Sequence, residues 1–210
     1  MKLYDADWAP SPRRVRIYLA EKAITVERVS VDLRTDEQLG EAYLAINPRG
    51  TVPALVLDDG EVITESGAIC RFFEALHPQP PLFGTRPVEI ARVEEWTRRI
   101  ETEGYAAAVY VLRNRASAFM NRALPGHWPA VPQLPALTER GRTMWETFVA
   151  RLDRRLGESE WVAGERYSFA DVTALVTIDF ARAAKLAVPE EAAHVARWHA
   201  AASARPSATA

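Results

Sequence analysis

The chain has 210 residues, of which 48% are hydrophobic and 26% charged, a composition typical of a globular protein with a sizeable core. Its formal net charge of −2 argues against binding to nucleic acid, because proteins that bind nucleic acid usually carry a basic excess. No apolar run approaches the about 18 residues of a membrane span, and no apolar stretch follows Met1 as in a signal peptide. We therefore expect neither a membrane segment nor secretion.

Cysteine and histidine usage point to a reducing compartment and to chemistry without a metal. The only cysteine, Cys70, cannot form an internal disulfide, which indicates a cytoplasmic location. The histidines, at positions 77, 127, 194 and 199, are scattered and do not form a metal-binding motif. We expect no metal site and no other cofactor.

The first 77 residues alternate between strand-like and helix-like patterns. The predicted elements, in chain order, are a strand over 2–4, a helix over 12–23, a strand over 29–33, a helix over 37–46, strands over 52–57 and 62–64, and a helix over 65–76. The order β-α-β-α-β-β-α predicts a right-handed parallel unit followed by a hairpin, and therefore a mixed sheet.

The second part of the chain reads as helix. The stretch 78–84 contains three prolines and one glycine, which predicts a linker, and we place it over 78–87. Helices are predicted over 89–120, 138–156, 168–185 and 190–203, with Gly104 as a bend in the first. A loop is predicted over 124–137, which holds four prolines. The predicted domains are thus an α/β domain over 1–77 and an all-helical domain over 88–210.

One helix start is strongly signalled in the second part. Ser168 is followed three residues later by Asp171, the spacing of a capping box, in which two side chains satisfy the first backbone N–H groups of a helix. We assign this pair to folding and not to chemistry.

Ser11 opens the first helix, in the run Ala9-Pro10-Ser11-Pro12. Ser11 stands where an N-cap belongs and Pro12 where the first helical residue belongs. A cap alone explains this pair. The same geometry also permits chemistry, because a helix N-terminus attracts anions, including thiolates, and a serine hydroxyl can donate to sulfur. Both interpretations stay open.

Two further segments carry polar or special residues at the start of an element. Pro53 comes early in a predicted strand, which suits an edge strand or a strand start. Glu65 and Ser66 open the third helix, where an acidic and a small polar residue favour helix initiation. In a binding site, Ser66 and the first N–H groups of that helix would hold a substrate carboxylate, and Glu65 a substrate ammonium group.

Taken together, these segments resemble the glutathione transferase superfamily, and in particular bacterial members near the theta and beta classes. The resemblance rests on Tyr4 in the first strand, Arg13-Arg14-Val15-Arg16-Ile17-Tyr18-Leu19-Ala20-Glu21-Lys22, Asn47-Pro48-x-Gly50-x-Val52-Pro53-x-Leu55, Glu65-Ser66-x-Ala68-Ile69, Gly164-x-x-x-Ser168-x-Ala170-Asp171 and Arg197-Trp198. It covers almost the whole chain.

The resemblance implies a thioredoxin-like first domain that binds glutathione, and a homodimer. Pro53 would follow a cis peptide bond, and the backbone of Val52 would pair with the cysteinyl unit of glutathione. Glu65 and Ser66 would hold the γ-glutamyl end. The helical domain would supply the pocket for a small hydrophobic electrophile, and Arg99 and Tyr105 are our candidates for its lining.

The catalytic group departs from the family pattern. The serine of the serine-type members lies six residues before the valine of the Arg-Val pair, and that position is Ala9 here. The cysteine of the beta class lies roughly at Ser11, which makes Ser11 the nearest hydroxyl and our catalytic candidate. We expect an enzyme of detoxification that forms the glutathione thiolate and conjugates it to the electrophile, with glutathione as co-substrate. The alternatives are a non-catalytic glutathione-binding or protein-interaction module, and a glutathione-dependent peroxide or disulfide reductase.

Overall fold

The computed structural model describes residues 1–210 and divides into two compact units. The first unit comprises Met1–Pro80, Leu124–Ala130 and Ala210, and the second comprises Pro81–Ala123 and Val131–Thr209. The division after Pro80 falls inside the stretch 78–87, for which the sequence predicts a linker. The segment Leu124–Ala130 belongs to the first unit although it follows the linker in the chain.

The first unit has the predicted order of elements. They are β1 (Lys2–Asp5), α1 (Pro10–Glu21), β2 (Glu27–Ser30), α2 (Glu41–Leu44), β3 (Ala54–Val56), β4 (Val62–Thr64) and α3 (Ser66–Leu76). The sheet order is β2-β1-β3-β4, with β1 parallel to β2 and antiparallel to β3, and β3 antiparallel to β4. The order β-α-β-α-β-β-α and the mixed sheet are confirmed.

Two boundaries in this unit differ from the prediction. The helix predicted over 37–46 consists of a 3₁₀ turn, Glu37–Leu39, and the single turn α2, because Gly40 between them is extended, with φ −75° and ψ 153°. The strand predicted over 29–33 pairs earlier, as β2, because Asp5 at the end of β1 is paired with Ser30.

Helices α1 and α3 pack against each other in the first unit. Residues Ile69, Cys70 and Phe73 of α3 are fully or almost fully buried, and their spacing is that of one face of a helix. Val15 and Ile17 of α1 have no exposed surface. The apolar periodicity that predicted these helices therefore reports their buried faces.

The regular elements of the second unit are all helices. Its elements are α4 (Pro87–Arg99), a π-helical turn (Ile100–Tyr105), α5 (Ala106–Arg115), α6 (Pro135–Glu158), α7 (Phe169–Ala181) and α8 (Ala193–Ser203), with short 3₁₀ turns at Ser117–Phe119 and Pro206–Thr209. A thioredoxin-like unit followed by an all-helical unit is the predicted fold class, which is confirmed. No helix of the chain has both the length and the apolar character that crossing a membrane requires.

Two features of the helical unit follow from single residues. The long helix predicted over 89–120 is interrupted by the π-helical turn that contains Gly104, and a Cβ atom at Gly104 would lie 2.5 Å from the ring of Phe148. The loop predicted up to residue 137 ends earlier, because Pro135 occupies the start of α6, where its missing N–H costs no hydrogen bond.

The capping box at α7 is confirmed. The Asp171 carboxylate is completely buried and accepts hydrogen bonds of 2.9 Å from both the N–H and the hydroxyl of Ser168. It also accepts the N–H of Val162 at 2.8 Å and the indole N–H of Trp198 at 2.9 Å. Asp171 thus ties the start of α7 to the preceding loop and to α8.

Candidate active site

Helix α1 begins two residues earlier than the sequence predicts, and this changes the position of Ser11. Ala9 is the N-cap residue, with φ −81° and ψ 138°, and its carbonyl accepts the N–H of Arg13 at 3.1 Å. Pro10, Ser11 and Pro12 are therefore the first three helical residues. The assignment of Ser11 as the N-cap is wrong, because Pro10 has the fixed φ that suits a first helical residue as well as Pro12 does.

Ser11 nevertheless supplies the hydrogen-bond donors of the first turn of α1. Pro10 and Pro12 have no N–H, and the N–H of Ala9 donates to the carbonyl of Ala6 at 3.0 Å. Ala9 offers no side-chain hydrogen bond to the helix. Of the first three helical residues, only the half-buried Ser11 therefore has a backbone N–H, and its side chain adds a hydroxyl.

A buried ion pair holds the loop between β1 and α1 in place. The Arg16 guanidinium donates to Asp5 Oδ1 at 2.7 Å and to the carbonyl of Asp7 at 2.6 Å. The side chains of Arg16 and Asp5 are both more than nine-tenths buried. Arg28 donates to the second oxygen of Asp5 at 2.6 Å. Burial lowers the pKa of Arg16, while the charge of Asp5 opposes that shift.

The loop that precedes β3 is anchored from within the first unit. The side chain of Asn47 donates to the carbonyl of Thr51 at 2.7 Å, and the Tyr43 hydroxyl donates to the same carbonyl at 2.6 Å. The next peptide bond, between Val52 and Pro53, is cis, as the resemblance implies. Val52 lies before β3, which pairs from Ala54 onward, so its backbone groups are outside the ladder.

The junction between β4 and α3 contains a strained residue. Glu65 has φ +69° and ψ 119°, a conformation that costs a non-glycine residue on the order of 1–3 kcal/mol and that is common at binding sites. Its exposed carboxylate lies 3.6 Å from the guanidinium of Arg49. Ser66, the first residue of α3, is buried.

The strand register brings these three segments to one end of the sheet. Tyr4, near the end of β1, is paired with Ala54 at the start of β3, and Ala54 is paired with Thr64 at the end of β4. The loop to Ser11, the Val52-Pro53 bond and the Glu65-Ser66 junction therefore leave or enter the sheet side by side. The N-termini of α1 and α3 follow from this end, and each carries partial positive charge that favours a bound anion.

The two electrophile-pocket candidates lie in the second unit and have different neighbours. The Arg99 guanidinium donates to Glu95 at 2.6 Å and lies 5.2 Å from the centre of the Trp96 ring. The ring of Tyr105 stacks on Phe180 at a centroid distance of 5.3 Å. The two side chains are thus engaged with different residues.

Cys70 is unsuited to act as a nucleophile. Its side chain is completely buried in α3, and burial raises the pKa of its thiol, with the nearby charge of Arg14 opposing the shift. A buried protonated thiol is inert. The reactive sulfur of any thiol chemistry therefore has to come from a substrate.

The architecture defines the class of the protein: a thioredoxin-like unit with two helix N-termini and a cis-proline at one end of its sheet, followed by an all-helical unit. Comparison with protein families agrees with this class. Residues 8–76 match the glutathione S-transferase N-terminal domain, and residues 127–206 match the glutathione S-transferase C-terminal domain. The chain belongs to the glutathione transferase superfamily.

Individual relatives support the same assignment. Glutathione S-transferase 2 of Saccharomyces cerevisiae is 35% identical over 213 residues, which cover 99% of this chain and 87% of the relative. Maleylacetoacetate isomerase of Pseudomonas aeruginosa is 32% identical over 179 residues, covering 82% of this chain and 77% of the relative. The chain is therefore a glutathione S-transferase.

Solved structures show the same fold over almost the full length. The crystal structure of Gtt2 from Saccharomyces cerevisiae has a TM-score of 0.90 and 32% identity, covering 99% of this chain and 98% of that one. A glutathione S-transferase domain-containing protein of Marinobacter aquaeolei VT8 has a TM-score of 0.88 and 34% identity, with 99% of both chains covered.

Proposed function

We propose that the chain binds glutathione at the end of the sheet in its first unit, forms the thiolate there and transfers the sulfur to a small hydrophobic electrophile. The observation that supports this proposal is the pairing of Tyr4 with Ala54 and of Ala54 with Thr64, because it brings the three candidate segments to one end of the sheet. Glutathione is the co-substrate, and the chemistry requires no cofactor.

Each part of glutathione has a counterpart at this end of the sheet. Ser66 and the first N–H groups of α3 donate to the γ-glutamyl carboxylate, because a helix N-terminus favours an anion. Glu65, whose carboxylate is exposed, accepts the ammonium group. The backbone N–H and C=O of Val52 pair with the cysteinyl unit, and the sulfur then lies toward Ser11 at the start of α1.

The pocket for the electrophile is proposed in the helical unit, with Tyr105 and Arg99 in its lining. Tyr105 would contribute a half-buried aromatic ring with a hydroxyl at its edge, stacked on Phe180. Arg99 is exposed and paired with Glu95, so its charge is already compensated.

Titration calorimetry with glutathione tests the binding mode. Glu65→Ala should weaken binding roughly tenfold to a hundredfold, because a hydrogen bond to a charged group contributes about 1.5–3 kcal/mol. Glu61→Ala is the matched control, since Glu61 is also an exposed carboxylate and directly precedes β4. Equal affinity of both variants and the wild type would remove Glu65 from the site.

Turnover of an aryl halide by the wild type separates the enzyme from the non-catalytic alternative. Loss of the aromatic substrate with formation of its glutathione conjugate supports the proposal. Glutathione binding without any turnover of a panel of such halides would instead favour a binding module.

The proposed assembly is a homodimer in the cytoplasm. Val88 and Ile90 of α4 are exposed by 52% and 38%, which offers apolar surface to a second copy. The lone cysteine suits a reducing compartment. Light scattering at micromolar concentration should give twice the chain mass of 23.4 kDa, and a mass of one chain would refute the dimer.

A further inference from the structure

The segment Leu124–Ala130, here called the strap, contacts the loop that precedes the cis-proline. It belongs to the first unit, and the backbone N–H of His127 donates to the carbonyl of Arg49 at 2.7 Å. The indole N–H of Trp128 donates to the carbonyl of Pro125 at 2.9 Å, which closes the strap into a turn around Gly126 and His127. The strap is therefore preformed where it meets Arg49.

Glycines on both sides make this contact close. Gly126 has φ +92°, and a Cβ atom there would lie 2.5 Å from the Arg49 carbonyl oxygen and 2.9 Å from the Thr51 methyl group. On the opposite side, a Cβ atom at Gly50 would lie 3.0 Å from the Cβ of His127. A side chain at either glycine would push the two segments apart.

The strap completes the anchoring of Arg49. The backbone N–H of Arg49 donates to the side chain of Asn47 at 3.1 Å, and its carbonyl accepts the N–H of His127. Both backbone groups of Arg49 are thus held, one from inside the loop and one from the strap. The fixed backbone of Arg49 leads directly through Gly50 and Thr51 to Val52, and its guanidinium lies 3.6 Å from Glu65.

We propose that the strap positions the glutathione-binding loop, with His127 as a positioning residue that acts through its backbone and Gly126 as the residue that permits the contact. The inference rests on the proposed function, because Val52 and Glu65 are the glutathione contacts that the strap holds in place. A loop that is ordered before binding loses no further conformational freedom when glutathione binds. The strap therefore increases the affinity for glutathione. It has no contact with the reacting sulfur, and the rate of the bound complex does not depend on it.

Gly126→Ala tests the proposal, and Gly60→Ala is its matched control. Gly60 has the same φ of +92°, but a Cβ atom there meets nothing within 4 Å. Both variants thus impose left-handed backbone strain on alanine, and only Gly126→Ala also breaks the contact with Arg49. His127→Ala is a second control, since it keeps the backbone N–H that makes the hydrogen bond.

Titration with glutathione and steady-state kinetics give the first readout. Gly126→Ala should raise the Kd and KM for glutathione roughly threefold to tenfold, the loss expected for one hydrogen bond. Its kcat and its KM for the aryl halide should stay within about twofold of the wild type, as should every constant of Gly60→Ala and His127→Ala. Wild-type affinity in Gly126→Ala, or an equal loss in Gly60→Ala, would overturn the proposal.

Hydrogen exchange of the free protein gives a readout that needs no substrate. The N–H of Gly50 donates to the carbonyl of Asn47 at 2.9 Å, and its exchange should accelerate in Gly126→Ala and remain unchanged in Gly60→Ala. If the exchange rate of the Gly50 N–H is unchanged in both variants, the positioning role of the strap is refuted and the proposed function is not affected. A wild type that fails to bind glutathione would refute the proposed function instead. If Gly126→Ala does not fold, His127→Pro removes the donor without adding a Cβ at position 126, and the same outcomes apply to it.

Discussion

Replacing Ser11 by alanine separates thiolate chemistry from helix formation. An N-cap serine contributes about 0.5–2 kcal/mol to stability, which would confuse the interpretation of its removal. Ser11 is the second helical residue of α1 and not the cap, and Ala9 at the cap makes no side-chain hydrogen bond. Ser11→Ala therefore removes no N-cap, and its free energy of unfolding is measured beside the pKa of the bound thiol.

The expected effect on the sulfur follows from the donors at the start of α1. A free thiol has a pKa of about 8.5, and a hydrogen bond to a charged group contributes about 1.5–3 kcal/mol, equivalent to about one to two pKa units. The alanine variant keeps the N–H of residue 11 and the helix dipole, so part of the stabilisation remains. We expect the pKa of bound glutathione to rise by about one unit, which lowers the thiolate fraction at pH 7 several-fold.

The assay is the ultraviolet absorbance of the thiolate of bound glutathione, measured on saturated enzyme as a function of pH. Ser11→Thr is the control, because it keeps a hydroxyl at the same position and should retain a pKa close to that of the wild type. Equal pKa values in the wild type and in Ser11→Ala would refute the reasoning. The thiolate would then depend on the backbone N–H of Ser11 and on the helix dipole alone.

Two stability predictions rest on the helical unit. The Glu89 carboxylate accepts the N–H groups of Thr85 and Arg86, which lower its pKa to about 2, so its contribution to stability is complete above pH 4.5 and is lost as the pH falls toward 2. Urea titrations should show Glu89→Gln less stable than the wild type at pH 7 and equal to it near pH 2; a gap that is constant with pH would contradict this. Gly104→Ala should lower the free energy of unfolding, because the new methyl group would lie 2.5 Å from the Phe148 ring and overpacking costs about 1–3 kcal/mol, against about 1 kcal/mol gained in helix propensity. A variant more stable than the wild type would show that the ring moves without cost.

Local signals predict the elements of this fold well, and they fail where two residues fit the same role. The capping box of Ser168 and Asp171 was predictable because both partners lie within one helical turn. At the start of α1, Pro10 and Pro12 both satisfy the preference for proline in the first turn, so the sequence does not decide between them. The hydrogen bond from the N–H of Arg13 to the carbonyl of Ala9 decides it, and that bond is a property of the folded chain.

Contacts between distant parts of the chain account for what the sequence did not show. The ion pair of Asp5 and Arg16 had one usable signal, a charged residue between the apolar Val15 and Ile17 of a buried helix. The strap had no such signal, because a proline-rich loop has no hydrophobic periodicity from which its contact partner could be predicted. Its contact with Arg49 is a hydrogen bond from a backbone N–H to a carbonyl; every residue has the carbonyl, and every residue except proline has the N–H.

The alanine at the usual serine position is coupled to the donors at Ser11. A hydroxyl at an N-cap accepts the N–H of the second or third helical residue. In α1 the third residue is Pro12, which has no N–H, so a serine at position 9 would take the N–H of Ser11. Ala9 has no hydroxyl and makes no such bond. The alanine at the usual serine position thus goes with a helix start in which Ser11 is the only one of the first three residues that has a backbone N–H.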